Sequence, residues 1–135
     1  MGRALLILAD TNVVLWLAFD ESRLSKAAKT AIEEARRTSG GLAISAISLL
    51  ELATLANKGR FSIKMSLESF LLEIESRFTV LPITGRACAR IAQLPARYPK
   101  DPADRIIGAT ALVEGLPLVT VDRAIRQSKV IQTIW

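Results

Sequence analysis

Residues 4–12, ALLILADTN, decide the fold that we predict for this chain. Residues 4–9 are all apolar, and a continuous run of this kind is typical of a strand buried on both faces of a parallel sheet. Asp10 follows directly, and its charge cannot belong to a buried strand. Asp10 is therefore expected at the carboxyl end of the sheet, where open α/β sheets bind ligands. Asp10 could also cap a helix that begins after it.

Outward from this stretch, short apolar runs alternate with segments of helical periodicity. This alternation is typical of an α/β domain built on a mainly parallel sheet. The predicted strands cover residues 4–9, 42–45, 78–81, 118–121 and 130–132, and the predicted helices cover residues 13–19, 25–38, 47–57, 66–76, 84–93, 101–114 and 123–127. We expect a single domain over residues 1–135, because this length suits one domain.

The composition excludes several kinds of site. The 135 residues include no histidine and one cysteine, Cys88. Catalytic triads that need imidazole and zinc sites of the Cys/His type are therefore excluded, and no disulfide can form within the chain. An enzyme with this composition would depend on its 13 acidic side chains.

The net charge is +5, from 18 basic and 13 acidic residues, and residues 86–135 hold 8 of the basic and 4 of the acidic ones. This distribution suits a phosphate-rich partner, although a solvated surface would carry the same charge. The apolar run 4–9 is cut by Asp10, whereas a membrane-spanning helix needs about 20 apolar residues. The run is also shorter than the roughly 7–15 residues of a secretion-signal core. We expect a cytoplasmic protein with no membrane partner.

Asp122 repeats the position of Asp10, because it directly follows the apolar run 118–121. Parallel strands end at the same edge of a sheet, so the two carboxylates are expected to share that edge. If the two strands are neighbours or nearly so, both carboxylates lie within reach of one ion. Asp122 could instead cap the helix predicted at 123–127.

Asp101 and Asp104 stand at the start of another predicted helix. Asp101 followed by Pro102 is a strong helix start, since Asp accepts hydrogen bonds from the first turn and proline suits the first helical position. Asp101 is thus better explained as a cap than as a ligand. Asp104 falls in the first turn, where it favours the helix dipole and stays free to bind a ligand.

Glu51 has two possible roles. Ser48 and Glu51 have the spacing of a capping box, which would make Glu51 structural. Its apolar neighbours, among them Ile47 and Leu52, indicate a helix packed on several sides. A carboxylate near such a core needs a cation, a metal or hydrogen-bond donors.

Three or four acids thus converge at one edge of the predicted sheet without histidine or cysteine. Ligation by oxygen alone suits a hard cation, Mg²⁺ or Mn²⁺. Such a site can activate a water and stabilise charge on a phosphodiester.

In this order, the motifs resemble those of the PIN-domain nucleases, above all the VapC-type toxins of bacterial toxin–antitoxin pairs. Each motif is weak alone, but the ordered set is specific and runs over essentially the whole chain. The conserved acids of that family correspond to Asp10, Glu51, Asp104 and Asp122, and its supporting polar positions to Thr11, Asn12 and Thr120, with Asp101 kept as a cap or outer support. Many such toxins have a histidine shortly before the helix-start motif, where this chain reads Tyr98, Pro99 and Lys100. This departure concerns substrate contacts and leaves metal binding intact.

The resemblance implies a three-layer α/β/α sandwich, an endoribonuclease dependent on Mg²⁺ or Mn²⁺, a homodimer, and inhibition by a cognate antitoxin. The implied metal ligands are Asp10, Asp104 and Asp122, with Glu51 completing the site. Water activated by the metal would attack the scissile phosphate of RNA. Lys100 and Arg105 are the candidate substrate-binding residues, since basic groups there could stabilise the developing charge.

The antitoxins of such pairs bind a groove near the helices that we predict at 47–57 and 66–76. Apolar side chains there suit either that groove or the core: Leu49, Leu52, Leu67, Phe70 and Leu71. Trp16 and Trp135 are expected to be packing residues.

Two other functions remain open. A receiver-like or phosphatase-like domain would accept a phosphoryl group on Asp10, but such domains usually place a second acid where this chain has Thr11 or Asn12. A non-catalytic RNA- or protein-binding module on the same fold would not need all four acids.

Overall fold

The computed structural model describes residues 6–38 and 40–135, and within them it has five strands and seven α-helices. The strands are β1 (Leu6–Ala9), β2 (Gly41–Ser45), β3 (Thr79–Leu81), β4 (Leu118–Val119) and β5 (Thr133–Ile134). The helices are α1 (Thr11–Phe19), α2 (Lys26–Arg37), α3 (Ala46–Asn57), α4 (Leu67–Arg77), α5 (Gly85–Ile91), α6 (Pro102–Glu114) and α7 (Arg123–Ser128), with a short 3-10 helix at Glu21–Arg23. Among the described residues, no helix is both long and apolar enough to cross a membrane.

The sheet is parallel throughout, and its strand order is β3-β2-β1-β4-β5. β1 is the central strand, where Leu8 pairs with Ala43 of β2 on one side and with Leu118 of β4 on the other. The carboxyl ends of all five strands therefore meet at one edge. The predicted α/β fold with a mainly parallel sheet is confirmed.

Helices cover both faces of this sheet. Successive side chains of a strand point to opposite faces, and β1 divides its residues between two cores accordingly. Ile7 packs in a cluster with Ile32 of α2, whereas Leu8 packs in a second cluster with Ile107 of α6 and Ile125 of α7. The molecule thus has the three layers of an α/β/α sandwich.

The last strand differs from the prediction. It is Thr133–Ile134, so the strand predicted at 130–132 is wrong. α7 ends where Lys129 adopts a left-handed conformation with φ 55°, and Ile131 then turns into the second core cluster. Pairing with β4 can begin only after that turn. Residues 4 and 5 of the first predicted strand lie outside the described residues.

The two tryptophans are packing residues, as predicted, and they also pack against each other. The ring centroids of Trp16 and Trp135 lie 5.8 Å apart. Trp16 also contacts Arg23, whose guanidinium carbon lies over the Trp16 ring, 4.8 Å from its centroid. These rings therefore join α1 to the end of the sheet.

The five apolar residues weighed for a partner groove mostly serve the first core. Leu52 and Phe70 are buried, and the other three are half-buried against the same cluster: Leu49, Leu67 and Leu71. Core packing therefore explains these side chains.

Leu8 provides a test of this architecture. It is fully buried at the centre of the sheet, so Leu8→Ala should lower the free energy of unfolding by about 2–5 kcal/mol. Leu50 is 62% exposed, and Leu50→Ala should change it by less than about 0.5 kcal/mol. Urea denaturation of the two variants measures both values, and equal losses would contradict the assignment of the core.

Candidate active site

Asp10 stands at the junction between β1 and α1. Its backbone N–H donates to the carbonyl of Val119 at 3.0 Å, which continues the pairing of β1 with β4. Its carboxylate is buried, with 8% of the residue exposed. Oδ1 accepts from the backbone N–H of Thr11 at 2.9 Å, and Oδ2 accepts from Oγ1 of Thr120 at 2.7 Å. Asp10 is the N-cap of α1, but this role occupies only one of its two oxygens.

Thr120 connects the ends of β1 and β4. It is fully buried, and its hydroxyl also accepts from the backbone N–H of Asp122 at 3.0 Å. Asp122 in turn caps α7, since its Oδ1 accepts from the N–H of Ile125 at 3.0 Å. The sequence prediction that Asp10 and Asp122 share one edge is confirmed, and a single threonine joins them.

The start of α6 follows the predicted pattern. Asp101 is the N-cap, with Oδ1 accepting from the N–H of Asp104 at 3.1 Å, and Pro102 occupies the first position of the helix. Asp104 lies in the first turn and is half-buried. Asp101 therefore acts as the cap, and the carboxylate of Asp104 is left for the cleft described below.

Glu51 is not part of a capping box. The N-cap of α3 is Ser45, whose Oγ accepts from the N–H of Ile47 at 3.2 Å. β2 runs directly into the helix there, so α3 begins before Ser48, and Glu51 falls in its second turn. The capping alternative is therefore wrong.

Glu51 instead belongs to a hydrogen-bonded group that reaches Asp10's neighbour. Oγ1 of Thr11 donates to Oε1 of Glu51. The same Oγ1 lies 2.9 Å from Oγ of Ser48, which is fully buried. The sequence predicts only a capping role for Ser48. Its contact with Thr11 arises because α3 packs against α1, and no local sequence pattern indicates that packing.

These residues surround one open cleft of about 860 Å³. Its lining includes seven of the predicted residues: Asp10, Thr11, Asn12, Glu51, Asp101, Asp104 and Asp122. Its basic residues are Lys58 from the end of α3 and Arg123 from the start of α7. Lys100 and Arg105 are not among the described residues that line it, so their substrate role stays a prediction. Lys58 and Arg123 were not identified from the sequence, because nothing local marks them.

Burial, together with the crowding of acids, raises several pKa values in the cleft. Burial raises the pKa of Asp104 to about 7, with further contributions from the charges of Asp10, Asp101, Asp122 and Glu51. Burial also raises the pKa of Asp10, although its hydrogen bonds from Thr120 and Thr11 oppose that shift. Burial raises the pKa of Glu51 against the hydrogen bond from Thr11.

No basic side chain neutralises these acids by an ion pair in the described ranges. The single ion pair found there joins Arg77 and Glu73 of α4, and neither residue lines the cleft. Within the same ranges, no group of three or more Asp, Glu, His or Cys side chains forms a site that could hold a metal ion as it stands. The cleft is thus acidic, rich in carboxylate oxygens and open to solvent.

Comparison with known proteins gives consistent results. The PIN domain family matches residues 7–130. Ribonuclease VapC22 of Mycobacterium tuberculosis is 39% identical over 123 residues, which cover 91% of this chain and 92% of that protein.

Solved structures share the fold at low identity. VapBC2 of Rickettsia felis, bound to a DNA fragment from its promoter, has a TM-score of 0.72 at 18% identity and covers 96% of this chain and 97% of its own. DNA-bound VapBC of Salmonella typhimurium has a TM-score of 0.68 at 23% identity and covers 96% of both chains.

The raised pKa of Asp104 predicts how stability depends on pH without metal. Between its ordinary value near 4 and about 7, the folded protein keeps a proton that the unfolded chain releases, so stability falls as pH rises through this window. Asp104→Asn should therefore melt a few degrees above the wild type at pH 8, and the difference should shrink towards pH 5. Thermal unfolding in EDTA at both pH values measures this. Glu34→Gln, at an exposed position on α2, should leave the pH dependence unchanged, and an equal effect there would contradict the assignment.

Proposed function

The chain belongs to the PIN-domain family and, within it, to the VapC-type ribonucleases; from this premise we propose that it is an endoribonuclease dependent on Mg²⁺ or Mn²⁺ and the toxin of a toxin–antitoxin pair. The observation that carries the proposal is the single cleft lined by Asp10, Glu51, Asp104 and Asp122. The proposal also takes residues 1–135 as one nuclease domain, acting in the cytoplasm. Cys88, which is exposed and unpaired, suits a reducing compartment.

The donor set of the cleft fits a hard divalent cation. All four acidic side chains offer oxygen ligands, which Mg²⁺ and Mn²⁺ prefer. Within the described residues, none of the four carboxylates forms an ion pair that would offset their mutual repulsion. Mg²⁺ in proteins keeps several waters and uses one or two carboxylates together with substrate phosphates. A closed cage of three carboxylates is therefore not required.

We assign Asp10, Asp104 and Asp122 as the residues that hold the cation, with Glu51 completing the site. A bound cation would supply water activation and charge stabilisation for phosphodiester hydrolysis. Thr120 fixes the carboxylate of Asp10 through Oδ2, and Thr11 fixes that of Glu51 through Oε1. Asp101 keeps the first turn of α6 in place as its cap.

Substrate binding falls to basic residues around the cleft. Lys58 and Arg123 line it and are suited to contact phosphates on either side of the scissile bond. Lys100 and Arg105 stay proposed contacts for more distant nucleotides. Apart from the four acids assigned to the cation, the chain carries 18 basic against 9 acidic side chains, which favours an RNA backbone.

We propose that the antitoxin occupies a second cavity, of about 410 Å³, between α1 and α4. Apolar side chains line it, including Leu17, Phe19 and Met65, of which the last two are about half exposed. Three basic residues and one acidic residue also line it: Arg36, Lys64, and Arg77, which is paired with Glu73. An amphipathic segment with acidic residues would complement this surface. We also propose a homodimer, for which the only support is membership of the family.

Asp10→Asn tests the catalytic assignment. The change preserves size and the hydrogen-bond acceptor Oδ1 but removes the charge, so RNA cleavage in Mg²⁺ should fall at least about 100-fold. Gel assays of RNA cleavage with Mg²⁺, Mn²⁺ or EDTA measure this, and circular dichroism checks the fold. Asp20→Asn, at an exposed position outside the cleft, is the matched control and should cleave normally. Wild-type protein that binds RNA without cleaving it would favour a non-catalytic module.

Met65→Glu tests the proposed antitoxin surface. A carboxylate at the edge of the apolar cavity should weaken the affinity for the cognate antitoxin by about tenfold or more, because a charge would replace an apolar contact. Isothermal titration calorimetry measures the affinity. Leu72→Glu changes another exposed apolar residue, one that does not line this cavity, and should bind as the wild type does. Equal weakening by both variants would contradict the location.

A further inference from the structure

Tyr98 is an unusual residue for a loop. It lies between α5 and α6, where connecting segments normally run over the surface with exposed side chains. Yet only 1% of Tyr98 is exposed, and it is among the largest fully buried side chains of the described residues. It packs in the second core cluster with Leu8 and Ile107.

The Tyr98 side chain contacts α6 at two positions on one face. Its hydroxyl donates to the backbone carbonyl of Asp104 at 2.8 Å. Its ring lies against Gly108, where an added Cβ would come within 2.2 Å of the tyrosine Oη and 2.5 Å of its Cζ. Residues 104 and 108 lie four positions apart and therefore share a face of the helix.

Gly108 is matched to this contact. Glycine inside a helix is less stable than alanine, because it loses more conformational freedom on folding. Gly108 lies in the middle of α6 with ordinary helical geometry, so no turn requires it. The close approach of Tyr98 explains why glycine occupies position 108, because the Cβ of any other residue would overlap the ring.

The turn of α6 that Tyr98 contacts is the one that carries acids of the cleft. Asp101 caps this turn, and Asp104 projects from it. Asp10, Asp122 and Glu51 line the same cleft as Asp104, and repulsion between like charges favours movement of the turn away from Asp10 and Asp122. The tyrosine is tied to the backbone of Asp104 itself, at the point where this force acts.

We propose that Tyr98, seated on Gly108, is a positioning residue that holds the first turn of α6 so that Asp104 stays in place for the cation. This inference rests on the proposed function. Tyr98 does not act as a ligand here, because its hydroxyl is committed as a donor to the carbonyl of Asp104. Its role is to fix the distance between the start of α6 and the carboxyl ends of β1 and β4.

Two variants test the contact from its two sides. Tyr98→Phe keeps the ring and removes only the hydroxyl, whereas Gly108→Ala pushes the ring away from the helix. Ile131→Val is the matched control, because Ile131 belongs to the same core cluster but lies outside α6. The probe is Mn²⁺ alone, titrated into each protein and followed by electron paramagnetic resonance, with RNA cleavage rates measured separately.

We expect Gly108→Ala to bind Mn²⁺ about tenfold more weakly than the wild type, and Tyr98→Phe several-fold more weakly, the range expected when an outer support of a metal site is lost. The double variant should be about as weak as Gly108→Ala alone, since the two residues act as one unit. Their kcat for RNA should fall while KM stays close to the wild-type value. Ile131→Val should bind Mn²⁺ normally.

The opposite results would overturn the proposal. If Gly108→Ala does not fold, Tyr98→Phe decides alone, and normal Mn²⁺ affinity in that variant rejects the positioning role. Equal weakening by Ile131→Val would indicate a general effect of the core and would reject it as well. If the wild type itself binds no Mn²⁺, the proposed function fails and this inference fails with it. A wild type that binds and cleaves while Tyr98→Phe matches it rejects the inference alone.

Discussion

The hydrogen bond from Thr120 to Asp10 is the constraint on which the rest of the site depends. It connects residues 110 positions apart in the chain and is fully buried on the threonine side. It is possible because β1 and β4 are neighbours in register, with Ala9 opposite Val119. A buried carboxylate needs donors to remain charged, and Thr120 and the N–H of Thr11 supply them at the two oxygens of Asp10. The order of the strands thus supplies the donor that opposes the rise in the pKa of Asp10 that burial causes.

Helix N-termini oppose the repulsion that this arrangement creates. α1, α6 and α7 each begin at the cleft, and their caps are Asp10, Asp101 and Asp122. The N-terminus of a helix carries a partial positive charge of roughly half an elementary unit, so three such ends face the acids. The side chain of Asp104 caps no helix, and burial together with the surrounding charges raises its pKa to about 7. The helical turn that carries Asp104 is the one held by the hydrogen bond from Tyr98.

Strand-end acids and helix starts could be predicted from the sequence because their signals are local. A charge that ends an apolar run located Asp10 and Asp122, and Asp101 with Pro102 located the start of α6. The roles of Ser48 and Tyr98 could not be predicted, because they depend on which helix packs against which. The cap of α3 at Ser45, three residues before Ser48, could not be predicted because it depends on where β2 ends. The last strand was misplaced for a similar reason, since the turn at Lys129 has no marker such as glycine.

The absence of histidine gives the site a particular electrostatic character. A histidine near the acids would gain a positive charge below pH 7 and would favour metals that accept nitrogen ligands. Asp104 titrates in the same pH range but changes only between negative and neutral. In the proposed site, a proton and a divalent cation would therefore relieve the same repulsion and compete for the same carboxylate. Falling pH would then weaken cation binding at the proposed site without adding a positive charge that could hold an RNA phosphate, so the protonation of Asp104 would couple occupation of the cleft to pH through carboxylates alone.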